Sequence, residues 1–292
     1  MKPFDFNAGE REDRRTVVLL HSSASSSRQW SALAELLGAR YRVHSVDLHG
    51  HGMQAAWRGD RPLTLADEMT LVEPVLREAG SVHLVGHSYG GAVALRIAES
   101  HPHAVRSLVL YEPVLFGWLF EDKPRSTEVQ EVLELSGTMG QLLSRGQDHA
   151  AAALFVDYWS GASEWHRLRP ERQNAIAARM RAVHPHFSAA FREPFAIARA
   201  GALRMPILYL TGEETADSTS RLGVLARRAL PFAEHETLAG MGHMGPITHA
   251  SGFNRRLWSF LVGDQTMLGV DAMHRFAEEA DADAPLSDPI VA

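Results

Sequence analysis

Hydrophobic residues along this chain are concentrated in short runs separated by longer amphipathic stretches. Continuous apolar runs of this length are typical of parallel strands, because both faces of a parallel sheet are buried. The intervening stretches, such as "RQWSALAELLGA", "GAVALRIAES" and "RLGVLARRALP", have helical patterns. The alternation predicts an α/β protein with a mostly parallel, doubly wound sheet. Six strands are predicted, at residues 16–20, 42–46, 82–85, 107–111, 206–210 and 235–238.

The alternation is interrupted between the fourth and fifth predicted strands, where only helical patterns such as "TEVQEVLELSGTMGQLLSRG" and "RQNAIAARMRAVHP" occur. A segment of this length is too long for a structureless loop. We predict that residues 116–202 form a helical cap inserted into a core made of residues 1–115 and 203–262. The remaining residues, 263–292, form an acidic C-terminal tail with five Asp, two Glu and one Arg.

Composition limits the function classes. The 292 residues are enough for one large domain with a full hydrophobic core, and the absence of cysteine excludes disulfides, thiolate nucleophiles and cysteine metal sites. Closely spaced histidines in "HGH" and "HPH" lack nearby carboxylates or cysteines in metal-ligand patterns, so no metal or other cofactor is predicted. The sequence has neither a clustered basic face for nucleic acid nor an apolar run long enough for a membrane span or signal peptide. We therefore expect a cytoplasmic protein with a small-molecule substrate.

The strongest local signal is "VHLVGHSYGGAVAL", a strand followed by Gly-x-Ser-x-Gly and a helix. Side chains two positions either side of a serine in such a sharp turn would collide, so only very small residues fit there. This arrangement is typical of a nucleophile elbow. Ser88 is then presented at the carboxyl edge of the sheet, at a helix N-terminus that favours developing negative charge.

Four segments, "VVLLHSS", "VDLHGHG", "GHSYGG" and "GMGHMGP", occur in the order found in one enzyme family. On these segments the sequence resembles an α/β-hydrolase with a helical cap, over roughly residues 14–261. The resemblance implies that His243, in the loop after the last strand, is the base that activates Ser88. It also implies an oxyanion hole formed by the backbone N–H of Tyr89 and a second N–H in "HSSASSS". We expect that second donor to be Ser23, with Ser22 as the alternative.

The acid that orients the histidine is ambiguous in the sequence. The family most often carries it after the strand "PILYL", where this chain has Thr215. Asp217, two residues further on, would reach the histidine if the loop were wound differently. Glu112 ends the strand "SLVLYEP", a position that some family branches use, the haloalkane dehalogenases among them. Both carboxylates remain candidates at this stage.

Aromatic residues are frequent in the predicted cap, and some of them are expected to cover Ser88. The favoured hypothesis is a cofactor-free serine hydrolase for a small, moderately hydrophobic ester, lactone or related acyl compound. Hydrolysis of a C–C bond in a diketone-like substrate uses the same scaffold and is an alternative, as is a non-catalytic ligand- or protein-binding role. The sequence does not predict the oligomeric state. The expected substrate-binding residues are Phe116, Trp118, Trp159 and Met244.

Overall fold

The computed structural model describes residues 15–262, and within that range one sheet forms the centre of the molecule. All neighbouring strands are parallel, in the order β2-β1-β3-β4-β5-β6. The predicted acidic tail lies outside the described residues. The strands are β1 (Thr16–Leu20), β2 (Arg42–Val46), β3 (Val82–His87), β4 (Val105–Tyr111), β5 (Ile207–Glu214) and β6 (Glu234–Gly242).

Helices connect the strands in the manner that parallel pairing requires, with two short 3-10 turns at Ser27–Trp30 and Pro102–Ala104. One difference from the sequence prediction is that "LADEMTLVEPVLREAG" forms two helices instead of one. Pro74 lacks a backbone N–H and is accepted only in the first turn of the second helix. These connecting helices are α1 (Ser31–Gly38), α2 (Leu65–Met69), α3 (Glu73–Ala79) and α4 (Tyr89–Ser100).

The segment between β4 and β5 contains only helices among its regular elements, and we call residues 116–202 the helical insertion. After β5 the chain resumes alternation with α12 (Asp217–Ala229), β6, α13 (Gly245–Thr248) and α14 (Ala250–Val262). The helices of the insertion are α5 (Phe116–Asp122), α6 (Thr127–Ser144), α7 (Asp148–Ser160), α8 (Glu164–Arg167), α9 (Pro170–Ala177), α10 (Met180–Phe191) and α11 (Ile197–Ala200).

Successive residues of the central strands contribute to two different hydrophobic cores. In β1, Val18 and Leu20 belong to the core that continues into α4, α12 and the helical insertion. Val17 and Leu19 belong to the core on the opposite face, under α1 and α14. This alternation follows from the strand period of two, which places successive side chains on opposite faces. The sheet is therefore covered by helices on both faces, which confirms the predicted doubly wound α/β architecture.

The strand ends bring the candidate residues to one edge of the sheet. β3 and β4 pair in register up to His87 and Tyr111, and β4 pairs with β5 up to Tyr111 and Leu210. Ser88 and Glu112 follow directly after their strands, so both lie at the carboxyl edge. Across residues 15–262, no helix combines the length and apolar character needed to cross a membrane.

Candidate active site

Ser88 occupies a strained backbone position between β3 and α4. Its φ of 55° and ψ of −118° lie outside the regions that residues with a Cβ normally adopt. The Ser88 N–H donates to the Tyr111 carbonyl at 2.9 Å, which ties the turn to the end of β4. Backbone strain held in place by surrounding structure is frequent at functional sites. The side chain of Ser88 is 4% exposed and lines an internal cavity.

The glycines around Ser88 are required by close backbone approach. A Cβ on Gly86 would lie 2.5 Å from the Gly90 carbonyl oxygen. A Cβ on Gly90 would lie 2.4 Å from the Leu20 carbonyl oxygen and 2.5 Å from that of His21. Because these obstacles are backbone atoms, they cannot rotate away as a side chain could. The elbow and the loop after β1 are therefore packed directly against each other.

We expect Gly90→Ala to destabilise the protein by about 2–3 kcal/mol, because the added methyl overpacks a rigid contact. Gly137→Ala is the matched control, since Gly137 lies in α6 and its Cβ position is open. The control should stabilise the protein by about 0.5–1 kcal/mol. Denaturant unfolding measures both. A Gly90→Ala protein as stable as the native one would contradict the tight elbow.

His243 lies between the serine and a carboxylate. Its Nε2 is 2.9 Å from Ser88 Oγ, and its Nδ1 is 2.6 Å from Glu112 Oε2. A neutral imidazole that donates from Nδ1 to the carboxylate keeps a lone pair on Nε2, which can then accept the Ser88 hydroxyl proton. The ring is 2% exposed, and Trp159 stacks over it at 4.1 Å between ring centroids.

Glu112 is the carboxylate within hydrogen-bond distance of the His243 imidazole among the described residues. It is fully buried and has a φ of 44°. Its Oε1 accepts the Gly212 N–H at 2.7 Å, and its Oε2 also accepts the Thr215 hydroxyl at 2.7 Å. The threonine at the usual acid position thus donates to the carboxylate from the neighbouring strand.

Asp217 lies elsewhere. It is the first residue of α12 and interacts electrostatically with Glu131 and Tyr158 of the helical insertion. In the part of the chain that the structure describes, it makes no hydrogen bond to His243. The sharp path from β5 through Thr215 into α12 directs Asp217 toward the insertion. Of the two candidate acids, the structure brings only Glu112 to the histidine.

The candidate oxyanion donors differ in whether their N–H groups are free. Tyr89 begins α4, where the first N–H groups have no intrahelical acceptor. The Ser22 N–H donates to the Gln29 side-chain oxygen at 3.0 Å, so it is already engaged. For the Ser23 N–H, residues 15–262 provide no acceptor, and Ser23, Ser88 and Tyr89 line the same cavity. The geometry therefore favours Ser23 over Ser22 as the second donor.

A polar chain that the sequence did not predict connects the three loops of the site. Gln29 accepts from Ser22 through its carbonyl oxygen and donates through its amide nitrogen to His87 Nδ1 at 3.0 Å. His87 Nε2 in turn donates to the His243 carbonyl at 2.8 Å. Because both nitrogens of His87 are used, its tautomer is fixed. His87 fills a variable position of the elbow motif, so nothing local in the sequence marked this role.

The cavity beside Ser88 has a mostly apolar wall. Phe116, Trp159 and Met244 line it, as expected from the sequence. Trp118 does not line it, and the sequence prediction for this residue is corrected. Its indole N–H donates to the Phe195 carbonyl at 2.7 Å, which directs the ring into the interior of the helical insertion.

Two further polar residues, His186 and Glu68, lie near the cavity. His186, from α10, stacks on Tyr89 with ring centroids 3.7 Å apart, and burial lowers its pKa well below the ordinary value. Glu68, from α2, accepts from the Tyr89 hydroxyl, and burial raises its pKa to about 7. His186 is part of an "HPH" segment, and this pattern does not predict a histidine in the wall of a cavity. Within residues 15–262, no group of three or more potential ligands is arranged to hold a metal ion.

Comparison with known proteins gives one family. The model of the alpha/beta hydrolase family matches residues 17–256. A pimeloyl-acyl-carrier-protein methyl ester esterase of Nitrosomonas europaea is 40% identical over 94 residues, which are 32% of this chain. That alignment spans 35% of the relative, so the chain matches about a third of its length.

Solved structures cover more of the chain at lower identity. A hydrolase of Pseudomonas aeruginosa superposes with a TM-score of 0.69 at 22% identity, over 86% of this chain and 91% of that one. The enol-lactonase of Burkholderia xenovorans superposes with a TM-score of 0.64 at 19% identity, over 86% and 92% of the two chains. These likenesses agree in fold with the family match, and the chain belongs to the α/β hydrolase family.

Proposed function

We propose that this protein is a serine hydrolase that cleaves a small, moderately hydrophobic ester, lactone or related acyl compound. The observation that carries the proposal is the continuous hydrogen-bonded line from Ser88 through His243 to Glu112, at 2.9 Å and 2.6 Å, in the wall of a buried cavity. Hydrogen-bonded nucleophile, base and orienting acid are the arrangement that activates a hydroxyl.

In the proposed reaction, Ser88 Oγ attacks the substrate carbonyl while His243 Nε2 takes its proton. The imidazolium formed in this step is stabilised by the buried carboxylate of Glu112. His243 then gives the proton to the leaving group, and an acyl-enzyme on Ser88 remains. A water activated by the same nitrogen releases the acid and restores the serine. These steps draw on side chains and water and need no cofactor.

The developing oxyanion would be held by the backbone N–H groups of Tyr89 and Ser23. Each such donor typically contributes about 3–4 kcal/mol to transition-state stabilisation. The position of Tyr89 at the start of α4 adds the favourable end of the helix dipole. Low exposure of the site excludes bulk water, which strengthens these interactions.

The substrate class follows from the cavity and its cover. The helical insertion, which we propose is a cap domain comprising residues 116–202, contributes Phe116, Phe155, Trp159 and Phe187 to the wall. A pocket with such a wall suits a small, moderately hydrophobic acyl group. The similar proteins include a methyl ester esterase and an enol-lactonase, which supports a carboxylic ester as the bond cleaved.

The proposal is tested by covalent labelling with a fluorophosphonate. We expect the native protein to be labelled at Ser88 and Ser88→Ala to remain unlabelled, because only an activated hydroxyl attacks the phosphorus. Ser22→Ala is the matched control, since Ser22 lies in the same cavity wall and its hydroxyl donates to Gln29 instead of a histidine. It should label like the native protein. A native protein that is not labelled would favour a binding role for the scaffold.

A further inference from the structure

Besides Ser22, whose hydroxyl donates to Gln29, two polar side chains in the wall of the catalytic cavity have no part in the proposed reaction. They are the hydroxyl of Ser23 and the imidazole of His186, and both residues line the cavity beside Ser88. The rest of the wall is largely apolar. Burying polar groups in such a wall costs free energy unless they are hydrogen-bonded. The apolar part consists of Val114, Phe116, Phe155, Trp159, Phe187 and Met244.

The two groups are held in a fixed relation. Ser23 Oγ lies 2.8 Å from His186 Nδ1, although Ser23 is in the loop after β1 and His186 is in the helical insertion. The imidazole plane is within 4° of the Tyr89 ring on which it stacks. Its other nitrogen, Nε2, is 4.0 Å from Glu68 Oε1, which is beyond hydrogen-bond distance. Stacking on one face and the Ser23 contact at one edge therefore fix the orientation of the ring.

The hydrogen-bonding capacity of the pair is not used up by the protein. His186 is 3% exposed, and its Nε2 has no hydrogen-bond partner among the described residues. Burial keeps the imidazole neutral, because it lowers the pKa of His186 well below the ordinary value. The hydrogen bond between the neutral imidazole and the hydroxyl contains one proton. The hydroxyl therefore keeps a further hydrogen-bonding capacity, as donor or acceptor, that a ligand can use.

The pair can offer a ligand either a hydrogen-bond acceptor or a hydrogen-bond donor. If the Ser23 hydroxyl donates to Nδ1, the Ser23 oxygen can accept a hydrogen bond from a substrate hydroxyl. If Nδ1 carries the proton and donates to Ser23 Oγ, the Ser23 hydroxyl can donate to a substrate carbonyl. A purely alkyl acyl group would displace water from this capacity without replacing the hydrogen bond, and this lowers affinity.

We propose that the Ser23 hydroxyl and the His186 imidazole form a polar subsite that selects acyl substrates carrying a second oxygen function, a hydroxyl or a carbonyl, close to the scissile carbonyl. The inference rests on the proposed hydrolase function and specifies its substrate class. Proximity follows from Ser23 itself, because its hydroxyl is separated from its proposed oxyanion-binding N–H only by the Cα and Cβ atoms.

The test compares esters that differ only at this second function: phenyl butanoate, phenyl 3-hydroxybutanoate and phenyl 3-oxobutanoate. We expect the native protein to have a kcat/KM about tenfold higher for at least one of the two oxygenated esters. His186→Phe keeps a ring to stack on Tyr89 but has no nitrogen, and Ser23→Ala keeps the backbone N–H. Either change should remove most of the preference for the oxygenated ester over phenyl butanoate, mainly by raising KM for the oxygenated ester.

His184→Phe is the matched control. His184 lies on the same helix, bonds the Ser136 carbonyl, and does not line the cavity beside Ser88. Its substitution should leave the preference unchanged. A native protein without preference, or a His186→Phe protein that loses all three activities equally, would overturn the subsite. Protection of Ser88 from fluorophosphonate by free 3-hydroxybutanoate, compared with butanoate, gives a second measurement that needs no turnover.

The two proposals fail in different ways. A native protein that labels at Ser88 and hydrolyses all three esters at equal rates would retain the hydrolase function and lose the subsite. A native protein that neither labels nor hydrolyses any of the esters would contradict the hydrolase function and this inference with it.

Discussion

Replacing Glu112 with glutamine is expected to lower kcat about 10⁴-fold while the fold is retained. In the native protein Gly212 N–H donates to Oε1, and His243 Nδ1 donates to Oε2. A glutamine that keeps its carbonyl oxygen on Gly212 must turn its NH₂ group toward Nδ1. That amide donates to Nδ1 and moves the imidazole proton to Nε2, so His243 can no longer accept the Ser88 proton. Steady-state hydrolysis of phenyl butanoate measures the loss.

Asp217→Asn is the control that separates the two carboxylates. Because Asp217 lies at the start of α12 and faces the helical insertion, its neutralisation should leave kcat within a few-fold of the native value. Thermal unfolding of both variants checks that the chains are folded. A large loss in Asp217→Asn together with a nearly native Glu112→Gln would show that the acid has been assigned to the wrong residue.

Acidification is expected to destabilise the folded protein strongly between pH 6.5 and about pH 4. Burial lowers the pKa of His21 to about 3 and that of His51 to about 4, from an ordinary value of 6.5. It lowers the pKa of His87 and His186 well below the ordinary value. In this window the unfolded chain binds these protons and the folded chain does not. Stability therefore falls as the pH falls, by about 1.4 kcal/mol per pH unit for each histidine.

Glu68 acts in the opposite direction and is weaker than the histidines together. Burial raises its pKa to about 7 from an ordinary value of 4.5, so the folded chain binds this proton more tightly than the unfolded chain. Its contribution is present below pH 4.5 and is lost as the pH rises to about 7. At pH 5 it offsets about one of the histidines. Because Glu68 opposes several buried histidines, the unfolding free energy is expected to fall between pH 8 and pH 5.

Urea unfolding at pH 8, 6.5 and 5 measures this dependence. His51→Gln should reduce the slope of the unfolding free energy against pH by about 1.4 kcal/mol per pH unit, which corresponds to one proton. This reduction is expected even if the substitution also changes the stability at pH 8. His103→Gln, which changes an exposed histidine, should leave the slope unchanged. An unfolding free energy that does not change between pH 8 and pH 5 would contradict the neutral state of the buried histidines.

Most of the sheet could be predicted from the sequence because its four central strands are largely buried on both faces. Short β-branched or Leu-rich runs predicted all six strands that the structure describes, with the first two at their observed bounds. The helix prediction was less accurate in the segment that contains Pro74. Residues 65–80 have an almost continuous helical pattern, but Pro74 can occupy only a first turn, so the helix ends at Met69 and a second begins at Glu73.

The candidate site could be predicted only where its geometry is local. The position of Ser88 depends on a strand, a turn and a helix that are adjacent in sequence. The choice between Glu112 and Asp217 depends on the pairing of β4 with β5, which brings Gly212 and Thr215 to Glu112. The partnership of Ser23 with His186 depends on how the helical insertion folds over the sheet. Neither long-range contact leaves a periodic signal in a single sequence.

Thr215 also bears on how such enzymes are recognised. Its hydroxyl reaches the same oxygen of Glu112 that accepts from His243, so the ends of two adjacent strands converge on one point in space. A carboxylate at the end of either β4 or β5 can accept the hydrogen bond from an imidazole at that point. The other strand must then supply a hydrogen-bond donor instead of a second negative charge. Surveys that require an aspartate after the fifth strand would therefore discard chains of this kind, although the histidine has its partner.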